Sequence, residues 1–258
     1  MLNTILHGQD AGSHSKGGRP ALVIVHGLYG SARNWGVIAR RLSDERRVIA
    51  VDMRNHGDSP WYDAHGYDDL ADDLADLIGG IGAPVDVLGH SMGGKAVMML
   101  ALRHPHLLRR MVVADIAPVA YSHSQMPYIT AMRAVDLERV ERRSDAESQL
   151  AAQGVEKALQ SFFTQSLDVA GKRWRLNLDA LAAEMPRIMG FPAVDTTWPG
   201  PALFLTGGES DYVRPEHKPA IRALFPKARF AKLSGAGHWL HAEKPREFEA
   251  TIRAFVNA

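Results

Sequence analysis

One stretch decides the fold, Val85-Asp86-Val87-Leu88-Gly89-His90-Ser91-Met92-Gly93-Gly94-Lys95-Ala96. The apolar residues before the first glycine predict a short buried strand, and the residues after the serine predict a helix. A Gly-x-Ser-x-Gly sequence between a strand and a helix is typical of a nucleophile elbow, a sharp turn that exposes a serine hydroxyl. Glycines are expected at 89 and 93 because side chains there would collide with the neighbouring strand and helix. The stretch therefore predicts that Ser91 is a nucleophile.

Strands and helices alternate on both sides of this stretch. Apolar runs predict buried strands at residues 21–25, 48–51, 111–114 and 202–206, with helical patterns between them. This order is typical of a mostly parallel sheet flanked by helices, so the predicted fold class is α/β. Residues 8–20 are rich in glycine, serine, histidine and charge, which predicts a surface loop.

The alternation stops in the second half of the chain. Residues 122–198 contain helix-like segments without a clear buried strand, and the strand–helix pattern then resumes. We interpret residues 122–198 as a helical cap inserted into a core formed by residues 1–121 and 199–258. The length of 258 residues fits one large α/β domain with such an insertion.

The composition excludes several classes of function. The chain has 30 Lys and Arg against 29 Asp and Glu, and this balance gives no reason to expect binding of nucleic acid or of an anionic membrane, which would need a clustered basic face. It has no cysteine, which excludes disulfides and thiolate metal sites. The first residues lack a basic segment and a sustained apolar run, and no apolar run reaches about 18 residues. We therefore expect a cytoplasmic protein without a secretory signal or a membrane span.

A serine nucleophile needs a base, and that base is expected to be a histidine oriented by a carboxylate. His238 fits this role because it lies in a glycine-rich loop after the last predicted strand, at the edge of the sheet where sites form. In folds with a nucleophile elbow the chain order is serine, acid, histidine. Asp211 and Asp115 both follow predicted strands, and the residues alone favour Asp211 while leaving Asp115 open.

Backbone N–H groups and cap residues complete the predicted site. The oxyanion hole is expected to use the N–H of Met92, after the nucleophile, and that of Leu28, in the loop after the strand at 21–25. Aromatic and methionine side chains of the cap predict an apolar acyl pocket. We assign substrate contacts to Phe162, Trp174 and Trp239, and we predict no metal site.

Several segments resemble those of the α/β-hydrolase fold superfamily. More narrowly, the chain resembles the YbfF-type bacterial esterases and their mitochondrial ABHD-type relatives. The resemblance spans nearly the whole chain and implies a serine esterase that acts on short to medium acyl esters or thioesters without a cofactor. The matching segments are residues 26–31 with 34–35, 51–60, 88–95, 115–118 and 235–239.

The resemblance also bears on the roles of individual residues. It implies the nucleophile, the base and the two oxyanion donors at the positions given above. Members of the YbfF-type group can lack an acid at the position of Asp211 while having an Asp-Ile-Ala-Pro type segment, which here begins at Asp115. The resemblance therefore brings the two acids close to parity.

Other functions are compatible with the same residues. A perhydrolase or a C–C bond hydrolase would use the same triad, and a ligand receptor would keep the fold without the chemistry. Epoxide hydrolases and haloalkane dehalogenases are disfavoured, because their chemistry requires a carboxylate nucleophile where this chain has Ser91.

Overall fold

The computed structural model describes residues 1–8, 19–82 and 84–258. The surface loop predicted at residues 8–20 therefore lies mostly outside the described residues. The strands, in chain order, are β1 (Thr4–His7), β2 (Leu22–Val25), β3 (Val48–Val51), β4 (Val85–His90), β5 (Leu108–Ala114), β6 (Leu167–Asp168), β7 (Arg173–Trp174), β8 (Ala202–Gly207) and β9 (Ala228–Leu233).

In the described part of the chain, seven strands form one sheet in the order β1-β3-β2-β4-β5-β8-β9. The edge strand β1 runs antiparallel to β3, and the other neighbouring strands run parallel. The predicted α/β class is thus confirmed. Strands β4 and β5 are neighbours, as are β5 and β8, so the loops that follow these strands meet at one edge of the sheet.

Helices cover both faces of this sheet. None of those described combines the length and the apolar character that crossing a bilayer requires. The α-helices of the described residues are α1 (Gly36–Leu42), α2 (Tyr67–Ile81), α3 (Met92–Arg103), α4 (Met126–Arg133), α5 (Arg143–Ala152), α6 (Lys157–Thr164), α7 (Leu178–Ala183), α8 (Met185–Met189), α9 (Lys218–Leu224), α10 (Leu240–Glu243) and α11 (Pro245–Asn257).

Strand β2 shows why continuous apolar runs form the centre of the sheet. All four of its side chains are fully buried. Val23 and Val25 belong to the apolar core that contains α2 and α3, whereas Leu22 and Ile24 belong to the core that contains α1 and α11. Successive side chains of a strand point to opposite faces, so a strand covered on both faces needs an apolar residue at every position.

Residues 122–198, all of which are described, contain helices α4 to α8 and the short antiparallel pair β6–β7. The helices agree with the predicted pattern, but the β6–β7 pair was not predicted. Each of its strands has two residues, which is too short to leave an alternating pattern in the sequence. Backbone bonds from Gly57 N to Arg175 O (2.8 Å) and from Asn177 N to Asn55 O (3.0 Å) join this segment to the loop after β3.

Four histidines of the described chain are buried, and they hold loops through neutral rings. His26 Nε2 accepts a hydrogen bond from Met53 N (3.0 Å), and His56 Nε2 accepts one from Tyr29 N (3.2 Å). A protonated ring has no free acceptor, so protonation would break both bonds. Burial lowers the pKa of each of the four buried histidines. They are His26, His56, His65 and His90.

These histidines predict that the fold loses stability in acid. Their folded-state pKa values lie below the unfolded value of 6.5. As the pH falls below 6.5, the unfolded chain therefore binds protons at these histidines while the folded chain does not. The free energy of unfolding should hold its full value above pH 6.5. Below that pH it should fall by about 1.4 kcal/mol per pH unit for each such group. Urea unfolding at about pH 8, 6 and 5 measures this slope.

The variant His56→Asn should lose one histidine's share of the change in the free energy of unfolding with pH, because Asn cannot be protonated in this range. The exposed His106 offers a matched control, and His106→Gln should leave the slope unchanged. Equal slopes for the wild-type protein and His56→Asn would contradict this explanation.

Candidate active site

The turn that carries Ser91 connects β4 directly to α3. Ser91 has φ 52° and ψ −120°, which lies in the left-handed half of backbone space that L-residues rarely adopt. A Cβ on Gly89 would collide with the backbone of Gly93, and a Cβ on Gly93 would collide with the carbonyl groups of Val25 and His26. The two glycines therefore permit the tight packing of strand, turn and helix that was expected of a nucleophile elbow.

Three of the predicted site residues meet at the edge of the sheet. The Ser91 hydroxyl lies 3.1 Å from His238 Nε2, and His238 Nδ1 lies 2.8 Å from Asp115 Oδ2. Asp115 directly follows β5, and His238 lies in the loop after β9. The Asp115 side chain is completely buried, whereas the His238 side chain is 16% exposed. A hydroxyl, an imidazole and a carboxylate in this order form the arrangement of a serine nucleophile with its base.

The structure places Asp211 away from this arrangement. Asp211 is exposed, and among the described residues its hydrogen bond runs through its backbone carbonyl, which accepts from Arg214 Nε at 3.2 Å. The preference for Asp211 over Asp115 as the partner of His238 was therefore wrong. Asp115 is the first residue after β5, the immediate neighbour of β4, whereas Asp211 lies four residues beyond the end of β8 on an exposed turn.

The buried carboxylate of Asp115 is held by several donors. Gly207 N donates to Oδ1 at 3.0 Å, and the Ser210 hydroxyl and His238 Nδ1 both donate to Oδ2. Charge-assisted bonds of this kind stabilise an ionised carboxylate that water does not reach. Sequence reasoning missed the contribution of Ser210, because a serine in the loop after β8 gives no signal beyond that of a turn residue.

The predicted oxyanion donors lie on two segments that face each other. The loop after β2 packs against the elbow so closely that a Cβ on Gly27 would lie 3.2 Å from Ser91 Cβ. Among the described residues, the N–H groups of Leu28 and Met92 have no hydrogen-bond partner. Gly30 N donates to Gly27 O at 3.0 Å and fixes the loop. A role of Leu28 and Met92 in oxyanion binding stays a prediction.

A cavity of about 220 Å³ opens next to Ser91 and His238, and most of its wall is apolar. Phe162 and Trp239, both predicted to contact substrate, line it, with their ring centroids 6.1 Å apart. Trp174 does not line the cavity, so that prediction was wrong. Its ring is buried between cap elements, and its Nε1 donates to Met132 O at 2.9 Å. Further apolar residues of the wall are Leu28, Tyr128, Leu159, Phe163, Ile188 and Met189.

Lys95, one turn along α3 from Ser91, also lines the cavity although its side chain is buried. Its Nζ donates to Met189 O (3.0 Å) and Gly190 O (2.5 Å), the carbonyls at the end of α8. It also lies 4.8 Å from the centre of the Tyr121 ring. Burial lowers the pKa of Lys95 to about 7. Sequence reasoning gave this lysine no role, because a charged residue in a helix is normally solvated.

The histidines and carboxylates of the site are not arranged around a metal position. Among residues 1–8, 19–82 and 84–258, no three His, Asp or Glu side chains are grouped as metal ligands would be. The donors and acceptors described above are instead directed at one another and at the cavity.

Comparison with known proteins places these features in a family. A family model described as the alpha/beta hydrolase fold matches residues 20–245. The mouse (Mus musculus) sn-1-specific diacylglycerol lipase ABHD11 is 41% identical over 248 residues, which covers 92% of this chain and 81% of that protein. Esterase YbfF of Escherichia coli strain K12 is 39% identical over 240 residues, covering 92% of both.

A solved esterase structure has the same fold as this chain. The structure described as a marine microorganism esterase superposes with a TM-score of 0.90 at 34% sequence identity. The match covers 98% of each chain, so it includes residues 122–198 as well as the sheet.

Glycine-to-alanine substitutions test the packing of the elbow. Gly93→Ala should lower the free energy of unfolding by about 3 kcal/mol, because the new Cβ meets backbone atoms of Val25 and His26 that cannot move aside. Gly79→Ala is the matched control, since apart from its chain neighbours and the backbone of α2 itself no described atom lies within 4 Å of its Cβ position. It should raise stability by up to about 1 kcal/mol. Urea unfolding of both variants decides, and equal effects would contradict the described packing.

Proposed function

The chain belongs to the alpha/beta hydrolase fold family, and from that premise we propose that it is a serine esterase. The proposed reaction is the hydrolysis of short to medium acyl esters or thioesters through an acyl-enzyme. The observation that carries the proposal is the position of His238, whose two ring nitrogens contact the Ser91 hydroxyl and the buried Asp115 carboxylate.

Acylation of Ser91 is the first proposed step. His238 Nε2 takes the hydroxyl proton while Ser91 Oγ attacks the carbonyl carbon of the ester. Asp115 accepts the Nδ1 hydrogen bond, which keeps Nε2 free to act as the base and stabilises the imidazolium that forms. The negative charge that develops on the carbonyl oxygen is assigned to the N–H groups of Leu28 and Met92. The imidazolium then returns its proton to the leaving alcohol or thiol.

Deacylation repeats the same steps with water. His238 removes a proton from a water molecule, which attacks the acyl carbon of the Ser91 ester, and the proton passes to Ser91 Oγ as the acid leaves. The same histidine serves both half-reactions, because the position of the departing alcohol is the one that the water takes up. No further reactant is required.

The cavity wall supports an acyl substrate. Trp239 offers aromatic surface beside His238, Phe162 lies next to Trp239, and most of the accessible wall is apolar, as suits a hydrocarbon chain. The names of two relatives, an esterase and a diacylglycerol lipase, agree with ester chemistry. We assign Phe162 and Trp239 to substrate contact and leave Trp174 out of the site.

Paired acid variants test the proposed triad. Asp115→Asn should lower kcat for a p-nitrophenyl ester by about 10³- to 10⁴-fold, because an amide no longer fixes the productive tautomer of His238. Asp211→Asn should stay within about twofold of the wild-type protein, since its carboxylate is exposed and does not contact His238. Steady-state kinetics with both variants measure the difference.

Ser91→Ala completes this set and should abolish turnover. The acyl preference follows from the same assay with p-nitrophenyl esters of increasing chain length and with acyl thioesters. Full activity of Ser91→Ala, or a large loss confined to Asp211→Asn, would overturn the proposal. Turnover of peroxide with acetate, or of a vinylogous diketone, without ester hydrolysis would assign the same residues to another reaction.

A further inference from the structure

The ring of Tyr212 lies flat against the ring of His238. The two ring centroids are 3.9 Å apart, and the planes differ by 18°. Tyr212 lies in the loop after β8, two residues beyond Ser210, and it also lines the cavity. The in-plane hydrogen bonds of His238 to Ser91 and Asp115 do not by themselves resist a tilt of the imidazole out of its plane. The Tyr212 ring, which is stacked on one face of the imidazole, is placed to resist such a tilt.

Tyr212 is itself held from two directions. The Tyr121 hydroxyl donates to Tyr212 O at 2.7 Å and accepts from Ala117 N at 3.0 Å. The Tyr212 hydroxyl lies 3.1 Å from His123 Nε2. Tyr121 thereby joins the segment that follows Asp115 to the loop that carries Tyr212. The Tyr212 ring is consequently held by the same segment that carries Asp115, the carboxylate bonded to His238 Nδ1.

We propose that Tyr212 is a positioning residue for the hydrolysis proposed above, one that fixes the plane of the His238 imidazole and stabilises its positive charge through the ring face. The face of an aromatic ring carries partial negative charge and attracts a cation placed over it. During turnover the imidazolium forms as the proton leaves Ser91. The ring face therefore acts more strongly in the transition state than in the resting enzyme, and such an interaction raises kcat.

The other titratable groups around His238 leave this role to Tyr212 and Asp115. Burial lowers the pKa values of His90 at the end of β4, of His241 in α10 and of His123 at the start of the cap segment. A histidine ring is neutral or positively charged in neutral and acidic solution, so none of the three can stabilise the imidazolium of His238. Lys95 also lines the cavity, and the Glu243 carboxylate accepts a hydrogen bond from Gly237 N, next to His238 in the chain. Of these groups, the Asp115 carboxylate and the Tyr212 ring face are the ones that contact the His238 ring and offer it negative charge.

Ring-preserving and ring-deleting variants test this role with the wild-type protein as reference. Tyr212→Phe keeps the stacked ring and should retain kcat for a p-nitrophenyl ester within about threefold. Tyr212→Leu removes the ring and should lower kcat by about tenfold or more, with little change in KM. Tyr62→Leu is the matched control, because Tyr62 is exposed and packs on Arg54 rather than at the cavity. It should leave both constants unchanged.

A fluorinated ring separates electrostatics from shape and does not depend on the folding of Tyr212→Leu. Incorporation of 3,4,5-trifluorophenylalanine at position 212 keeps the ring but withdraws charge from its face. Relative to Tyr212→Phe, the pH at which kcat/KM falls to half on the acid side should decrease by about half a pH unit. Thermal unfolding of each variant records whether its fold is intact.

Two outcomes would overturn the inference. One is a kcat for folded Tyr212→Leu equal to that of the wild-type protein, and the other is an identical acid limb for the phenylalanine and trifluorophenylalanine variants. Both are distinct from failure of the proposed function, in which the wild-type protein itself would not hydrolyse esters.

Discussion

The hydrogen bond between His238 Nδ1 and the buried Asp115 carboxylate joins the parts of this molecule that the proposed chemistry needs. Asp115 follows β5, His238 follows β9, and the serine in contact with His238 follows β4. The carboxylate also accepts a hydrogen bond from Gly207 N, at the end of β8. The strand order β4-β5-β8-β9 brings these four ends to one edge of the sheet, and the hydrogen bonds fix their relative positions.

This arrangement places two residues in costly backbone conformations. Ser91 and Asp115 both have φ 52°, and they follow neighbouring strands. Non-glycine residues in this region cost about 1 kcal/mol or more each. The strands that carry them are almost entirely buried, and full burial of one valine or leucine side chain contributes about 1.5–3 kcal/mol. The core therefore offsets the strain that holds the two polar groups in place.

The sequence contains the local parts of this site but not their pairing. The glycines around Ser91 and the glycine-rich loop of His238 are local patterns, so the sharp turn at Ser91, the position of His238 at the same edge of the sheet and the buried strands were predictable. The choice of acid was not, because it depends on which strand neighbours β4 and on the path of each loop. Trp174 and the stacked ring of Tyr212 depend in the same way on contacts between distant segments. Periodicity in a single sequence does not record such contacts.

The central claim is that Ser91 is a nucleophile activated by His238, and labelling by a fluorophosphonate tests it most directly. The wild-type protein should gain the mass of one adduct, located by peptide mass spectrometry on Ser91. His238→Gln should react at least about a hundredfold more slowly, because no base removes the hydroxyl proton. An adduct on another residue with none on Ser91, or equal labelling rates for the wild-type protein and His238→Gln, would contradict the account.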